Sequence, residues 1–224
     1  MSQSTSLLTE DQSTAGLPEV ASDLAGLCGR ALCEGRFLVE EVLGHGAQGA
    51  VYRIRREAPS TLGASARVMP SHDRYVPHPQ STPSQAAMKV MFPDPSRPAA
   101  TARFIAEYRV AARLRAGPFV CAYEMFEDGP LLCYTMDYMP GGTLAATIGT
   151  PLPVAVAVGL GLDVLAGLDI LHSQGIVHRD IKHHNILLEA PLPSFRDEAR
   201  VGDERLEAPL RLPRAKLADF GISD

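Results

Sequence analysis

Residues 175–189 read GIVHRDIKHHNILLE. The apolar members Ile176, Val177, Ile181, Ile186, Leu187 and Leu188 would suit two short buried strands around a polar loop. That purely structural role accounts for the apolar residues and leaves the choice of polar ones unexplained. Asp180 is a carboxylate that can accept a proton, Lys182 an ammonium that seeks phosphate, and Asn185 an amide whose oxygen suits a hard cation. A base, a phosphate-seeking cation and a metal-binding amide on one tight loop point to phosphoryl transfer.

Upstream, residues 154–171 (VAVAVGLGLDVLAGLDIL) are apolar enough to suggest a membrane span. A span needs about 20 residues with few or no charges. Asp163 and Asp169 interrupt this one, so a buried helix of a soluble domain is expected. Further back, residues 36–43 (RFLVEEVL) read as a strand, GHGAQG as a turn, and residues 50–56 as a returning strand alternating apolar and basic. Residues 86–92 (AAMKVMF) form another strand. A helix is predicted over 98–116, with Phe104, Tyr108, Ala111 and Leu114 on one face and Gly117-Pro118 ending it. Residues 119–139 are a strand pair turning at Asp128-Gly129.

The organisation is thus a flexible, polar tail over 1–35, a mostly β region over 36–139, and an α-rich region over 140–224. Two irregular insertions break the pattern. One, at about 57–85, carries Pro59, Pro70, Pro77, Pro79 and Pro83 and is expected to be disordered; the other spans about 190–213.

In 224 residues, 46% are hydrophobic, ample for a packed core, and the net charge of −5 argues against nucleic acid as a partner. Cys28, Cys33, Cys121 and Cys133 show no metal or redox spacing and are expected as reduced thiols. The first residues lack a basic start and a long apolar run, so no signal peptide is expected, and a cytoplasmic location follows. Zinc at His183-His184 is not expected, because adjacent residues rarely face one centre.

Other constellations carry the same chemistry. Gly44, Gly46 and Gly49 lie between two strands, where missing Cβ atoms let backbone amides approach phosphate. The turn does not open a helix, which excludes dinucleotide binding. Taken singly it is an ordinary hairpin. Lys89 in a strand and Glu107 on the next helix are each unremarkable; as a pair, the carboxylate could hold the ammonium against a phosphate. Asp219, before Phe220-Gly221, adds a second oxygen ligand for the cation held by Asn185.

In this order, the chain resembles the serine/threonine protein kinases of the eukaryotic-like (Hanks) type. The shared motifs are G-x-G-x-x-G-x-V at 44–51, the strand lysine at 86–89, the helix glutamate, H-R-D-x-x-x-x-N at 178–185, and D-F-G at 219–221. The resemblance covers 37–224. It implies an α+β, two-lobed kinase fold: a β-rich N-lobe with one key helix, and an α-helical C-lobe. It implies ATP and Mg²⁺ as cofactors and a protein Ser/Thr hydroxyl as acceptor. Gly44, Gly46 and Gly49 would cover the phosphates, and Lys89, held by Glu107, would contact them. Val51, Ala87 and Leu187 would flank adenine, Met136 would guard the back of its pocket, and the connector Asp137 to Met139 would bond the base. Asp180 would be the catalytic base with Lys182 beside it, and Asn185 and Asp219 the Mg²⁺ ligands. His178 and Phe220 would pack as an internal spine. Lys182 marks the Ser/Thr pattern.

Departures from the family pattern are Gln48, where an aromatic is common at the tip of the glycine loop, and His183, where proline is frequent. The sequence stops three residues after Gly221. The activation segment and later helices are therefore expected to be missing, with peptide phosphorylation impaired and a bared C-lobe face prone to association. The competing expectations are a non-catalytic, pseudokinase-like nucleotide-binding module and a small-molecule phosphotransferase. Arg179 and Phe220-Gly221 weigh against the latter.

Overall fold

The computed structural model describes residues 26–46, 49–57, 82–114, 117–192 and 214–220. Strands β1 (Ala31–Leu32), β2 (Phe37–Gly46), β3 (Gly49–Arg56), β4 (Gln85–Met91), β5 (Ala122–Asp128) and β6 (Leu131–Met136) form one antiparallel sheet in the order β1-β2-β3-β4-β6-β5. Alternation drives its outer part. In β3, Ala50, Tyr52 and Ile54 are buried, while Arg53 and Arg55 turn outward and share Glu40 of β2 at 2.9 and 3.0 Å. Central β4 is buried along nearly its whole length, as a strand covered on both faces must be. Gly49 has φ 134°, and a Cβ there would lie 2.0 Å from the Val90 carbonyl oxygen, so only glycine lets β3 approach β4 at this point.

Helix α1 (Pro98–Arg113) starts on Pro98, whose fixed φ suits a first turn, and buries Phe104, Glu107, Tyr108, Ala111 and Ala112. It is shorter than the helix expected from sequence, since Leu114 is already extended. Phe104 and Tyr108 pack on Tyr134 of β6 with ring centroids 5.0 and 5.6 Å apart. The same core runs on through Phe119 to helix α2 (Val154–Ser173), the hairpin of β7 (Ile186–Leu188) and β8 (Ala215–Leu217), and Phe220. A second core, with Leu27, Leu32, Phe37, Tyr52, Ile54, Met88, Phe126 and Leu131, holds the sheet's other region together. This β-rich N-lobe and helix-bearing C-lobe match the expected two-lobed α+β arrangement.

Two expectations need correction. The tail does not extend to residue 35. Leu27 and Leu32 are 2% exposed, β1 pairs with β2, and turns at Gly29 and Gly35 (both φ 82°) fold this segment onto the sheet. A two-residue strand is too short to show periodicity. Residues 1–25 lie outside the described residues.

The apolar helix is not fully buried. Val156, Leu160, Gly167 and Leu171 face the core, but Val154, Val158, Leu162 and Leu165 are each more than half exposed. Among the described residues it is the one helix long and apolar enough to cross a membrane, with mean hydropathy 2.1. Asp163, which breaks its apolar run, accepts the Ala215 N–H at 2.9 Å and so fastens β8 to the helix. Gly167 lets Leu217 close in, since a Cβ there would sit 2.9 Å from its Cδ1.

The purely structural alternative for residues 175–189 fails: they contain one strand rather than two, and Val177 and Ile181 are exposed. The disorder expected over 57–85 falls mostly on 58–81, outside the described residues, as does most of 190–213. The described flanks are built in. Thr82 is 1% exposed and donates to Glu124 at 2.6 Å beside Thr135 at 3.0 Å. Arg36 clamps the same Glu124 at 2.7 Å, and Arg56 donates to the Thr82 carbonyl at 3.0 Å.

Candidate active site

Strand β4 and helix α1 bring Lys89 and Glu107 together. The ammonium lies 2.6 Å from Glu107 Oε1 and 3.0 Å from Asp219 Oδ1. Both members of the first pair are buried, at 8% and 7% exposure. The Tyr134 hydroxyl also donates to Glu107 Oε1, so the carboxylate is held from two sides. Burial alone would depress the Lys89 pKa, but Glu107 and Asp219 raise it above the ordinary value, and the side chain stays charged. Burial pushes the Glu107 carboxyl up against the pull of Lys89. At Asp219 burial also acts upward, but Lys89 prevails and holds that carboxyl below its usual value.

The loop 178–185 forms the second group. Lys182 Nζ donates to Asp180 Oδ2 at 2.7 Å, and Asn185 Nδ2 donates to the Asp180 backbone oxygen and Oδ2, both at 2.9 Å. The hydrogen bond from Lys182 does most to hold the Asp180 carboxyl below its usual value, with Asn185 assisting. With both Asn185 N–H bonds directed to Asp180, the amide oxygen is the atom left for a cation. Arg179 and Asp219 adopt φ 63° and 53°, a region that β-substituted residues avoid. Such backbone strain at two motif positions is typical of sites over-determined by function.

Buried His178 joins the two groups. Its Nε2 bonds the Ala218 carbonyl at 3.1 Å, and its ring packs on Phe220 with centroids 5.2 Å apart. Burial lowers its pKa, and Nδ1 has no hydrogen-bond partner among the described residues, so the ring is neutral packing. The Ala218 N–H in turn bonds the Asn185 backbone oxygen at 2.9 Å, which fixes Asp219 against the loop.

Beside these groups lie the apolar candidates. Ala87 pairs with Met136, and Val51 with Lys89, so the glycine hairpin abuts the lysine strand. Met136, Met139 and Leu187 pack with Val120 and Ala218 in one small cluster. Gly44 and Gly46 are the outer residues of β2, and Gly46 pairs with Gly49. Gln48 and Gly221 lie outside the described residues. His183 and His184 are neighbours with ring centroids 4.3 Å apart, and among the described residues no group of three or more His, Cys, Asp or Glu is placed to hold a metal. Asn185 with Asp219 is a two-residue oxygen set, which fits a Mg²⁺ that takes its other ligands from phosphate and water.

Sequence reasoning missed Tyr134, Val120, Ala218, Tyr123 and Lys216. Tyr134 and Val120 lie in apolar runs without a motif, and Ala218 directly precedes Asp219. Lys216 could have been noticed from its place three residues before Asp219.

Residues 75–224 match the family model for the protein kinase domain. The glycine hairpin lies before this match and joins it through the sheet. The chain is 34% identical over 158 residues to the serine/threonine-protein kinase PkaA of Streptomyces coelicolor, covering 69% of this chain and 27% of that protein. It is 32% identical over 197 residues to PknL of Mycobacterium tuberculosis, covering 86% of this chain and 38% of that protein. It therefore spans about a third of the length of these curated relatives. The PknI kinase domain of Mycobacterium tuberculosis, in a doubly substituted form, superposes with a TM-score of 0.51 at 24% identity, covering 88% of this chain and 64% of that one, which supports the fold. With Lys89, Glu107 and Asp219 joined by ion pairs and the family model matching most of the chain, this protein belongs to the protein kinase family.

Proposed function

We propose that the chain is the catalytic region of a serine/threonine protein kinase, transferring the γ-phosphoryl group of Mg²⁺–ATP to a protein Ser or Thr hydroxyl. The observation that carries it is Lys89, charged and buried, held between Glu107 and Asp219 at 2.6 and 3.0 Å. Its ammonium would position the α- and β-phosphates, and the backbone at Gly44, Gly46 and Gly49 would cover them. Asp180 stays ionised at neutral pH and would take the proton of the attacking hydroxyl. Lys182 beside it would neutralise charge on the transferred group. Met136, Met139, Leu187, Val51 and Ala87 would enclose the base, and Asp137 to Met139 would bond it through the backbone. Asn185 and Asp219 would hold Mg²⁺, which supplies charge neutralisation when bound. Most catalysis here is positioning, which suits a site of pre-set hydrogen bonds. The proposal places the region in the cytoplasm, where ATP is present and free thiols such as Cys33, Cys121 and Cys133 persist.

Phosphoryl transfer from labelled ATP to Ser/Thr peptides tests this. Weak incorporation into Ser and Thr that Asp180→Asn abolishes is expected, in keeping with the impaired peptide phosphorylation expected from sequence. Mg²⁺–ATP binding without any transfer would favour the non-catalytic reading, and absence of both would overturn the proposal.

A further inference from the structure

The connector 137–139 is gripped far more closely than a flexible hinge requires. Asp137 donates its N–H to the Cys121 carbonyl at 3.0 Å and accepts the Cys121 N–H on Oδ2 at 3.1 Å. The Tyr123 hydroxyl donates to its other oxygen, Oδ1. From the other lobe, Lys216 of β8 reaches Asp137 Oδ2 at 3.4 Å and Glu189 at 3.3 Å. The Asp137 and Lys216 side chains are only 19% and 17% exposed. Backbone bonds complete the wall: Leu217 N–H to Pro118 O at 2.8 Å and Val120 N–H to Leu217 O at 2.9 Å. Strand β8, residues 118–121 and the connector are therefore linked as one ribbon. Lys216 is its one side-chain cation among the described residues. Burial alone would lower the Lys216 pKa, yet Asp137 and Glu189 raise it, so the side chain is charged. Tyr138 is held as well, with the Arg53 guanidinium of β3 6.0 Å from its ring centre.

We propose that Asp137, Tyr123 and Lys216 form an interlobe clasp that fixes the angle of the connector against β8, and that Lys216 thereby acts as a positioning residue for the nucleotide. The inference rests on the nucleotide site proposed above. Lys216 lies three residues before Asp219, on the strand that leads into it. The clasp thus ties the segment that would bond the base to the segment that would hold the cation. Loosening it lets the two move independently, and the cost falls on nucleotide affinity.

The test compares Lys216→Ala, Lys216→Arg and Glu189→Gln by Mg²⁺–ATP titration calorimetry and by hydrogen exchange of backbone amides. Lys216→Ala should weaken Mg²⁺–ATP about tenfold, and Lys216→Arg should recover most of that loss. Exchange at the Cys121 and Asp137 amides should quicken about tenfold in Lys216→Ala, with the amides of β2 and β3 unchanged. Glu189→Gln leaves the Asp137 contact in place and should stay within about twofold of the native chain. Unchanged exchange at Cys121 and Asp137 would overturn the clasp. So would equal quickening in β2 and β3, or an arginine variant no better than alanine. If the native chain binds no nucleotide, the functional reading fails, and the exchange comparison alone decides whether the clasp exists.

Discussion

Near pH 5, replacing Glu107 by Gln should cost more stability than replacing Lys89 by Met, although both break the same ion pair. At 2.6 Å the gross attraction is about 6 kcal/mol with an effective dielectric of about 20. Breaking a buried pair by removing one partner costs about 3–5 kcal/mol, because the remaining charge is stranded. In Glu107→Gln the stranded group is Lys89, whose desolvated ammonium keeps only Asp219 at 3.0 Å. That residual partner brings the expected loss to about 2–3 kcal/mol. In Lys89→Met the stranded group is Glu107, whose carboxyl burial already pushes up. Without the ammonium it takes a proton and keeps its bond from Tyr134, while Met fills the apolar space of the lysine stem. The expected loss is about 1 kcal/mol near pH 5 and about 3 kcal/mol or more at pH 7, because protonating a carboxyl above its unfolded value of about 4.3 costs about 1.4 kcal/mol per pH unit. The sign with pH follows from a folded-state pKa raised above the unfolded one: the protonated form's contribution is full below the unfolded pKa and fades as pH rises through the folded pKa. The Lys89→Met deficit should therefore shrink on going from neutral to mildly acidic pH. The chain has no tryptophan, so urea unfolding is best followed by far-UV circular dichroism. A Glu107→Gln loss below about 0.5 kcal/mol, Lys89→Met proving the more damaging near pH 5, or a Lys89→Met deficit that does not shrink from pH 7 to pH 5 would refute the reasoning.

Other outcomes are expected. Gly49→Ala must displace Val90 or break the β3–β4 pairing, and should lower stability by about 3 kcal/mol or more in the same urea experiment. Lys182→Ala removes the hydrogen bond that most lowers the Asp180 carboxyl, so the acid limb of the pH–rate profile, below the ordinary 3.8 in the native chain, should move upward. Asp163→Asn weakens the bond that fastens β8 to α2 and should cost about 1–2 kcal/mol of stability. Replacing Val158, Leu162 and Leu165 by Gln should reduce self-association in sedimentation runs and change stability by less than about 0.5 kcal/mol per site.

The legible parts of the fold were those with a period or a breaker. Strands β2, β3, β5 and β6 alternate or flank a turn, and α1 begins at a proline, so all were read close to their observed bounds. What escaped depends on distant chain. Segment 26–35 is ordered by docking on β2, which no local pattern encodes. The exposure of α2 is set by what packs on it, and its composition is apolar on every side. Site residues with a motif could be read one by one; Tyr134 and Lys216 have no motif, and only the packing of α1 on the sheet and of β8 on the connector brings them to Glu107 and Asp137.

The pinned flanks of residues 58–81 separate the sheet from the continuity of the backbone. The Arg56 N–H bonds the Ser84 carbonyl at 2.9 Å, its guanidinium bonds Thr82, and Arg55 pairs with Gln85. The chain thus leaves and re-enters at one clamped point, and β3 lies alongside β4 through six register pairs whatever joins them. A polypeptide cut between 58 and 81 would remain one assembled lobe. The piece bearing the glycine hairpin and the piece bearing Lys89 could be made as separate molecules and reunited, and the same point could accept a foreign domain or become the new ends of a circularly permuted chain.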